Sequence, residues 1–402
     1  MTKRILFVGE TQPLWDEFRA LAGQAQSGWE AQFAGTGLEA MALLAARPFD
    51  TVVACVQLPD MNGADLLDDL MRKQPDLRRI VLSEMADTHN TARCIGKGHR
   101  HLLMPCGASL LLSALDQALS GDFWKPPETV QKLISRMRRV PSPPTVYFAI
   151  AAEMESVNAS VEKVGSLIAE DPAMSARVLQ LANSAVFGLQ LQVIHPVEAV
   201  AYLGLETTRA VVLLAQTFSS FDALRFAGFS FEALWHHSVF TGRFARRIIQ
   251  AEERPPGDAE QASAAGLMHD LGKLLLAANM PEKFGEALEL AHSRQGRLWE
   301  AEREVLGADH AELGACLLSI WGLPLPIVEA VARHHEPPAP GGQSVGPNGA
   351  VHVANLLAHE IWRADSGPTR TDLDLARLKD LGFEQNLEIW RKACSLAEPS
   401  AW

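Results

Sequence analysis

The sequence predicts a multidomain chain, a doubly wound α/β unit followed by an all-α unit, on three observations. Short apolar, β-rich runs at Ile5–Val8, Thr51–Val56, Ile80–Leu82 and Leu102–Leu103 alternate with helix-compatible segments, the pattern of a parallel sheet covered by helices on both faces. The stretch GDFWKPPETV, residues 121–130, carries Gly121, Pro126 and Pro127, which end a helix and favour extended backbone. Beyond it the β-rich runs stop and apolar residues return at helical spacing. The expected division is an α/β domain over 1–120, a linker over 121–130, a helical core over 131–335, and a loop with C-terminal helices over 336–402.

A chain of 402 residues has room for these two cores. With 48% hydrophobic and 21% charged residues it has the composition of an ordinary globular protein. Its net charge of −12 gives no general attraction to a phosphate backbone, so nucleic acid is not an expected partner. The opening MTKRILFVGETQPLW has only Ile5–Val8 as an apolar run, which reads as a strand and not a signal peptide. No stretch approaches the ~18–20 apolar residues of a membrane span. Cys55, Cys94, Cys106, Cys316 and Cys394 have no paired spacing, which argues against a disulfide framework or a thiolate zinc site. A cytoplasmic protein with no membrane partner is expected.

In a doubly wound sheet, chemistry gathers beyond the carboxyl ends of the strands. The segment there, DTVVACVQLPDMNGADLL at residues 50–67, resembles the phosphorylation loop of response-regulator receiver domains, a flavodoxin-like fold, and the resemblance extends over about residues 1–119. It places the phospho-acceptor position at Cys55, keeps Pro59 and Gly63, and puts Gly9 and Glu10 where two acids would hold Mg²⁺. The hydroxyl position falls on Ser83, and Met104, before Pro105, stands where the family has a lysine. Phosphoryl transfer there needs a carboxylate nucleophile, an oxygen-bound divalent ion and a cation on the new phosphate. Cys55 is a poor Mg²⁺ ligand and Met104 carries no charge, so the expectation is an unphosphorylatable pseudo-receiver acting as a docking or dimerisation platform. Neither a redox role for Cys55, with no cation near it in sequence, nor phosphorylation at Asp60, in the loop past the strand end, is favoured.

In the second unit, Asp171 as N-cap and Pro172 at the first helical position open a helix with Met174, Val178 and Leu181 on one face. The segments VPSPPTVYFAIAAEM, SLIAEDPAMSARVLQLANSAVFG and HPVEAVAYLGLETTRAVVL carry Asp171-Pro172, Asn183-Ser184 and Tyr202-Leu203-Gly204 in an order that resembles the HDOD domain, a helical relative of HD phosphohydrolases. The resemblance implies a non-enzymatic output domain in signal transduction that works through protein partners such as a kinase, a cyclase or another regulator. It makes Asn183 and Ser184 a structural or partner-contact pair; a helix C-cap through Asn183 is the simpler reading. The receiver resemblance, in a family whose members commonly pair through their later helices, adds a homodimer to the candidate partners.

The second half also holds His237, the LMHDLGK motif with His269, Asp270 and Lys273, then His310 and the pair His334-His335. In catalytic HD domains a His, an adjacent His-Asp pair and a distant Asp bind a divalent metal that activates water. By resemblance His237, His269 and Asp270 fill the first three positions; Asn355 stands at the fourth, where a neutral amide is a weak ligand. His310, His334 and His335 fall where two-metal relatives carry further histidines, but PPAPGGQSVGP replaces the Gly-Tyr-Pro element of cyclic-dinucleotide phosphodiesterases. The metal would be Fe, Mn, Zn or Ni, and Lys273 would meet a phosphate. Arg243, Arg246 and Arg247, one or two turns beyond His237, could line a phosphate site, but a solvated helix face explains them more simply. The leading expectation is an adaptor that needs no catalysis; the rival is a metal-dependent phosphohydrolase of the HD class.

Overall fold

Five short strands form one parallel sheet in the order β2-β1-β3-β4-β5 in a computed structural model of the chain. It describes residues 3–10, 12–24, 29–74, 76–84, 100–104, 108–120, 124–134, 136–137, 139–141, 144–154, 156, 159–183, 193–221, 229–338, 345–361 and 378–395. The strands are β1 (Lys3–Val8), β2 (Trp29–Ala34), β3 (Thr51–Cys55), β4 (Arg78–Glu84) and β5 (Arg100–Met104). Between and after them lie helices α1 (Gln12–Gln24), α2 (Gly37–Ala46), α3 (Gly63–Lys73) and α4 (Ala108–Ser120).

Successive side chains on a strand point to opposite faces, and here both faces are covered. Ile5, Phe7, Val53, Ile80 and Leu82 enter one hydrophobic cluster with residues of α1 and α4. Leu6, Val8, Val52, Ala54 and Val81 enter another with residues of α2 and α3. That is why the sequence shows unbroken apolar runs there. A side chain such as Phe7, fully buried, contributes on the order of 1.5–3 kcal/mol by leaving water.

The fifth strand, β2, was not among the expected ones. Its sequence WEAQFA lies at the sheet edge, pairs only with β1 and is largely half-exposed or exposed, so it lacks the apolar run that marked the others. It is held instead by Phe33 stacking on Phe7, ring centroids 5.0 Å apart. The linker needs a second correction. Residues 124–127 have no regular structure, but a helix, α5 (Glu128–Ile134), begins inside the stretch read as extended. By packing the chain divides after Ser142, into Met1–Ser142 with two short later segments, and Pro143–Met154, Asn158–Leu317 and Pro326–Trp402.

The regular elements described in the second unit are all helices. Its first helices are α6 (Thr145–Met154), α7 (Val161–Ala169), α8 (Pro172–Ala182), α9 (Pro196–Leu203) and α10 (Leu205–Phe221). Then come α11 (Phe231–Ala251), α12 (Pro256–Met268), α13 (Leu271–Asn279), α14 (Pro281–Arg294) and α15 (Leu298–Leu306). The last are α16 (His310–Ile320), α17 (Leu325–Ala332), α18 (Pro347–Ile361) and α19 (Glu384–Ser395). Asp171 accepts the Met174 N–H at 3.0 Å, which makes it the N-cap of α8 with Pro172 as first helical residue. Met174 and Val178 are buried as expected; the Leu181 side chain and Ser184 lie outside what is described.

Asn183 accepts the Val193 N–H at 2.7 Å and donates to the Val193 carbonyl at 2.6 Å, so it clamps the chain that returns to α9. Gly204 ends α9 at φ +82° against the Glu260 carboxylate. Arg243 is not on a solvated face: it is buried, on the helix that α19 covers with Trp390, whose indole N–H donates to Glu252 at 2.8 Å. Arg246 donates to the Leu203 carbonyl at 2.9 Å. Trp402, Cys94, Pro105 and Cys106 are outside the described residues. Among those described, no helix is long and apolar enough to cross a membrane.

Candidate metal centre

The long helix α11 carries His237 and crosses α12 where Gly242 meets Gly266; a Cβ on Gly266 would lie 2.7 Å from the Gly242 Cα. Two glycines are needed for so close a crossing, and it brings His237 against His269 at the end of α12. Asp270 follows at the turn into α13, whose Gly272 leaves no room for a methyl beside the His310 carbonyl. His310 opens α16, His334 and His335 lie in the turn after α17, and α18 supplies His352, Asn355 and His359.

These elements bring all six expected ligands together in two triads, His237, His269, Asp270 and His310, His334, His335; within each, the ligand atoms lie within 4.8 Å of one another. Asp270 faces both. Its Oδ2 is 3.3 Å from His269 Nε2 and 3.8 Å from His237 Nε2, and its Oδ1 is 3.2 Å from His310 Nε2 and 3.8 Å from His334 Nε2. Across the triads' inner faces His237 Nε2 and His269 Nε2 are 3.2 Å apart, and His335 Nε2 and His310 Nε2 2.9 Å. Lys273 donates to Asp270 Oδ2 at 2.7 Å, and Asn355 Oδ1 lies 2.9 Å from His237 Nε2.

Outer groups orient the rings. His269 Nδ1 meets the Gly266 carbonyl at 2.8 Å and His334 Nδ1 the Val331 carbonyl at 2.7 Å, so both are donors and turn the lone pair of Nε2 inward. The buried carboxylate of Glu302 holds His310 through both its Nδ1, at 2.5 Å, and its backbone N–H, at 2.9 Å. His352 Nδ1 lies 2.9 Å from the His334 carbonyl, and His359 stacks on His237 with ring centroids 4.1 Å apart. Glu302, His352 and His359 were not picked out from sequence. The spacing of His352, Asn355 and His359, one face of α18, was a legible signal; Glu302, in a run of similar acids, offered none.

The charges follow from burial and neighbours. Burial and the adjacent imidazole push His237 down to about 3, and burial pushes His269 down to about 4. Burial likewise keeps His334 and His335 well below the ordinary histidine range. Burial by itself would raise the Asp270 carboxyl, but His269 and Lys273 beside it hold it well below the usual carboxylate range. His310 goes the other way: burial opposes its charge, yet the Glu302 carboxylate raises it to about 9. Four neutral imidazoles and the ionised Asp270 are what a divalent ion takes as ligands, and His310 would join them by releasing its proton.

The residues therefore fit such an ion. Two ligand atoms of one ion at ~2.1 Å sit about 3.0–3.4 Å apart, close to the 2.9–3.3 Å of the shortest ligand pairs here. The buried Nε2 of His334 has no hydrogen-bond partner among the described residues. A buried lone pair left in that way is costly unless something takes it.

The site expected in the α/β unit is built otherwise. Cys55 belongs to the hydrophobic cluster that includes Trp15, against which Leu58 and Met104 pack. A Cβ on Gly9 would lie 2.7 Å from Cys55 Sγ. Glu10 is exposed, Ser83 buried, and Asp60 accepts the N–H groups of Gly37 and Leu38 at 2.8 and 2.9 Å, capping α2. Those two bonds hold its carboxyl below the ordinary range.

The parallel α/β unit and the helical unit, with its Asp171-Pro172 and Gly204 features, are matched by two families whose pairing indicates signal transduction. Residues 5–116 match the response regulator receiver domain and residues 140–337 the HDOD domain, so the chain joins a receiver domain to an HDOD domain. Signalling proteins are the class of partner that a receiver domain implies. An uncharacterized protein of Treponema pallidum (strain Nichols) is 26% identical over 211 residues, 51% of this chain and 39% of that protein. The chain thus spans about two fifths of that relative's length. A solved HDOD domain protein of unknown function from Geobacter sulfurreducens is 21% identical, with 67% of this chain and 97% of that one covered at a TM-score of 0.49. Another, from Shewanella amazonensis SB2B and provisionally named a phosphohydrolase, is 22% identical, with 68% and 98% covered at a TM-score of 0.48.

Proposed function

We propose that the chain is a signal-transduction adaptor: a receiver domain that takes no phosphoryl group, and an HDOD domain that acts through protein contacts around a buried divalent-metal centre without turning over a phosphoester. The observation that carries the second half is closure. His237, His269, Asp270, His310 and His334 are each at most 1% exposed, and the Lys273 ammonium that would meet a substrate phosphate is spent on Asp270 at 2.7 Å. A hydrolytic centre keeps a position open for water and substrate. With Asn355 at the fourth position, the ligand set also lacks the second carboxylate that would balance a hydroxide-bearing ion.

Bound among these residues, a divalent ion supplies a cross-link between the α12–α13 turn, α16 and the turn after α17. The protein's own part is to hold the imidazoles with lone pairs inward, through Gly266, Val331 and Glu302, and to keep water out. The same absence of usable charge supports the first half. Cys55, Leu58 and Met104 fill the space at the strand ends with apolar packing, and Gly9 has no room for the missing acid beside Cys55.

The rival reading, a phosphohydrolase, draws on the donor set itself. The full-length chain loaded with Mn²⁺ should hold close to one ion per chain by elemental analysis and release no product from bis(p-nitrophenyl) phosphate or a cyclic dinucleotide. Turnover that disappears in Asp270→Asn would replace the adaptor with the hydrolase.

A further inference from the structure

The two triads resemble each other in ligand type, but their hydrogen bonds differ. We propose that they divide the work: the His310, His334 and His335 triad, faced by Asp270 Oδ1, takes the divalent ion, while the His237, His269 and Asp270 triad is closed from within by the Lys273 ammonium and the Asn355 amide. The inference rests on the metal-binding reading above and adds which half of the cluster does it.

In the first triad every inward-facing atom has a partner. The carboxylate oxygen on that side, Asp270 Oδ2, accepts from Lys273 Nζ at 2.7 Å, so a cation already stands on it. His269 donates through Nδ1 to Gly266, which leaves its neutral ring with a bare Nε2. The proton in the 3.2 Å contact between the two rings therefore sits on His237 Nε2, the atom that also faces Asn355 Oδ1 at 2.9 Å. A nitrogen that already donates to two neighbours must give up those bonds before it can become a ligand. An aspartate at 355 would draw a cation into this triad; the amide accepts that proton instead and leaves the inner side of the triad neutral, and the His237 nitrogen without a partner among the described residues, Nδ1, is the one that does not face Asn355 or His269.

The second triad is incomplete in the same terms. His334 Nε2 is buried, aimed inward by its Nδ1 bond to Val331, and has no hydrogen-bond partner among the described residues. His335 and His310 share one short contact of 2.9 Å, and His310 Nε2 also lies 3.2 Å from Asp270 Oδ1; an ion taking the place of the His310 Nε2 proton would serve both rings and the carboxylate. The oxygen turned to this side, Asp270 Oδ1, is not the one Lys273 holds. Lys273 acts as the resident cation of one half and so limits the cluster to one ion.

The test is a Co²⁺ titration of the metal-stripped full-length chain, followed by visible absorption and by cobalt analysis after gel filtration. The wild type should take one equivalent. His334→Ala should weaken binding by at least about 100-fold, with His335→Ala, at the partly exposed position, doing the same if the first variant folds poorly. His237→Ala should keep the ion. Lys273→Met, and Lys273→Gln beside it, should gain a second equivalent that is lost again when His237→Ala is added. Two equivalents in the wild type, an ion lost with His237→Ala but kept in the other two histidine variants, or no second equivalent in either lysine variant would overturn the division. No cobalt in the wild type or in the lysine variants would sink the metal-binding reading itself, and the division with it.

Discussion

The receiver domain and the HDOD domain each have a place where side chains of several elements converge, and they are built from opposite materials. At the strand ends of the receiver the meeting residues are Gly9, Cys55, Leu58 and Met104; Cys55 belongs to a hydrophobic cluster, Leu58 and Met104 pack against it, and Gly9 abuts Cys55. Among the helices the meeting residues are five histidines, Asp270, Glu302 and Lys273, all but His335 at most 8% exposed. Once a site has lost its charges, burial rewards packing and the site merges with the core. A site that keeps buried charges has no such route, because each ionised group must be met by another or by a ligand. The first kind of site can be altered one residue at a time at small cost. In the second, every residue depends on the rest.

That difference predicts unequal costs. The largest belongs to Asp270→Ala. It removes the anion that meets the Lys273 ammonium at 2.7 Å and faces four imidazoles, and leaves a buried cation uncompensated. The expected loss is about 3–5 kcal/mol, read in urea unfolding of the HDOD transition. A loss below about 1 kcal/mol would mean the cluster is not electrostatically coupled, and the comparison would break.

Glu302→Gln is smaller and has a pH signature. In the metal-stripped chain the folded-state value of His310 is raised to about 9 by Glu302, against an ordinary 6.5. A raised value means stability that is fully present below the unfolded-state pKa and lost as pH rises through the folded one, here between about 6.5 and 9. The wild type should therefore lose on the order of 2–3 kcal/mol across that window, and Glu302→Gln should flatten the slope. An equal slope in both proteins would show that the pair does not set the charge of His310.

How legible each region was follows the same line. Strands β1 and β3 could be read because burial on both faces demands continuous apolar runs, whereas β2, at an edge with Glu30 exposed and its polar residues kept, could not. The six expected ligands came from short motifs, His269-Asp270 and His334-His335 above all, that carry their chemistry in adjacent positions. Glu302 was invisible because its role depends on α15 and α16 folding back to set it against a residue eight positions on. Arg243 was misread because nothing near it in sequence announces that α19, more than a hundred residues later, covers its helix.

The smallest effects belong to Cys55, where the comparison can be sharpened by restoring what is missing. Cys55→Ala should cost on the order of 1 kcal/mol, a small side chain lost from a packed cluster, and leave the response to acetyl phosphate where it was, at none. Cys55→Asp returns the nucleophile, but Gly9 still supplies no second acid and Met104 no cation, so labelled acetyl phosphate should transfer no stable phosphate to it. Adding Gly9→Asp and Met104→Lys should not rescue it cleanly either. The Cβ at position 9 would sit 2.7 Å from the atom now at Cys55 Sγ, and charge would enter a space packed by Leu58 and Trp15. Stable label on the wild type, or on Cys55→Asp alone, would mean that the apolar filling leaves the phosphoryl chemistry intact and that the two sites differ less than their materials imply.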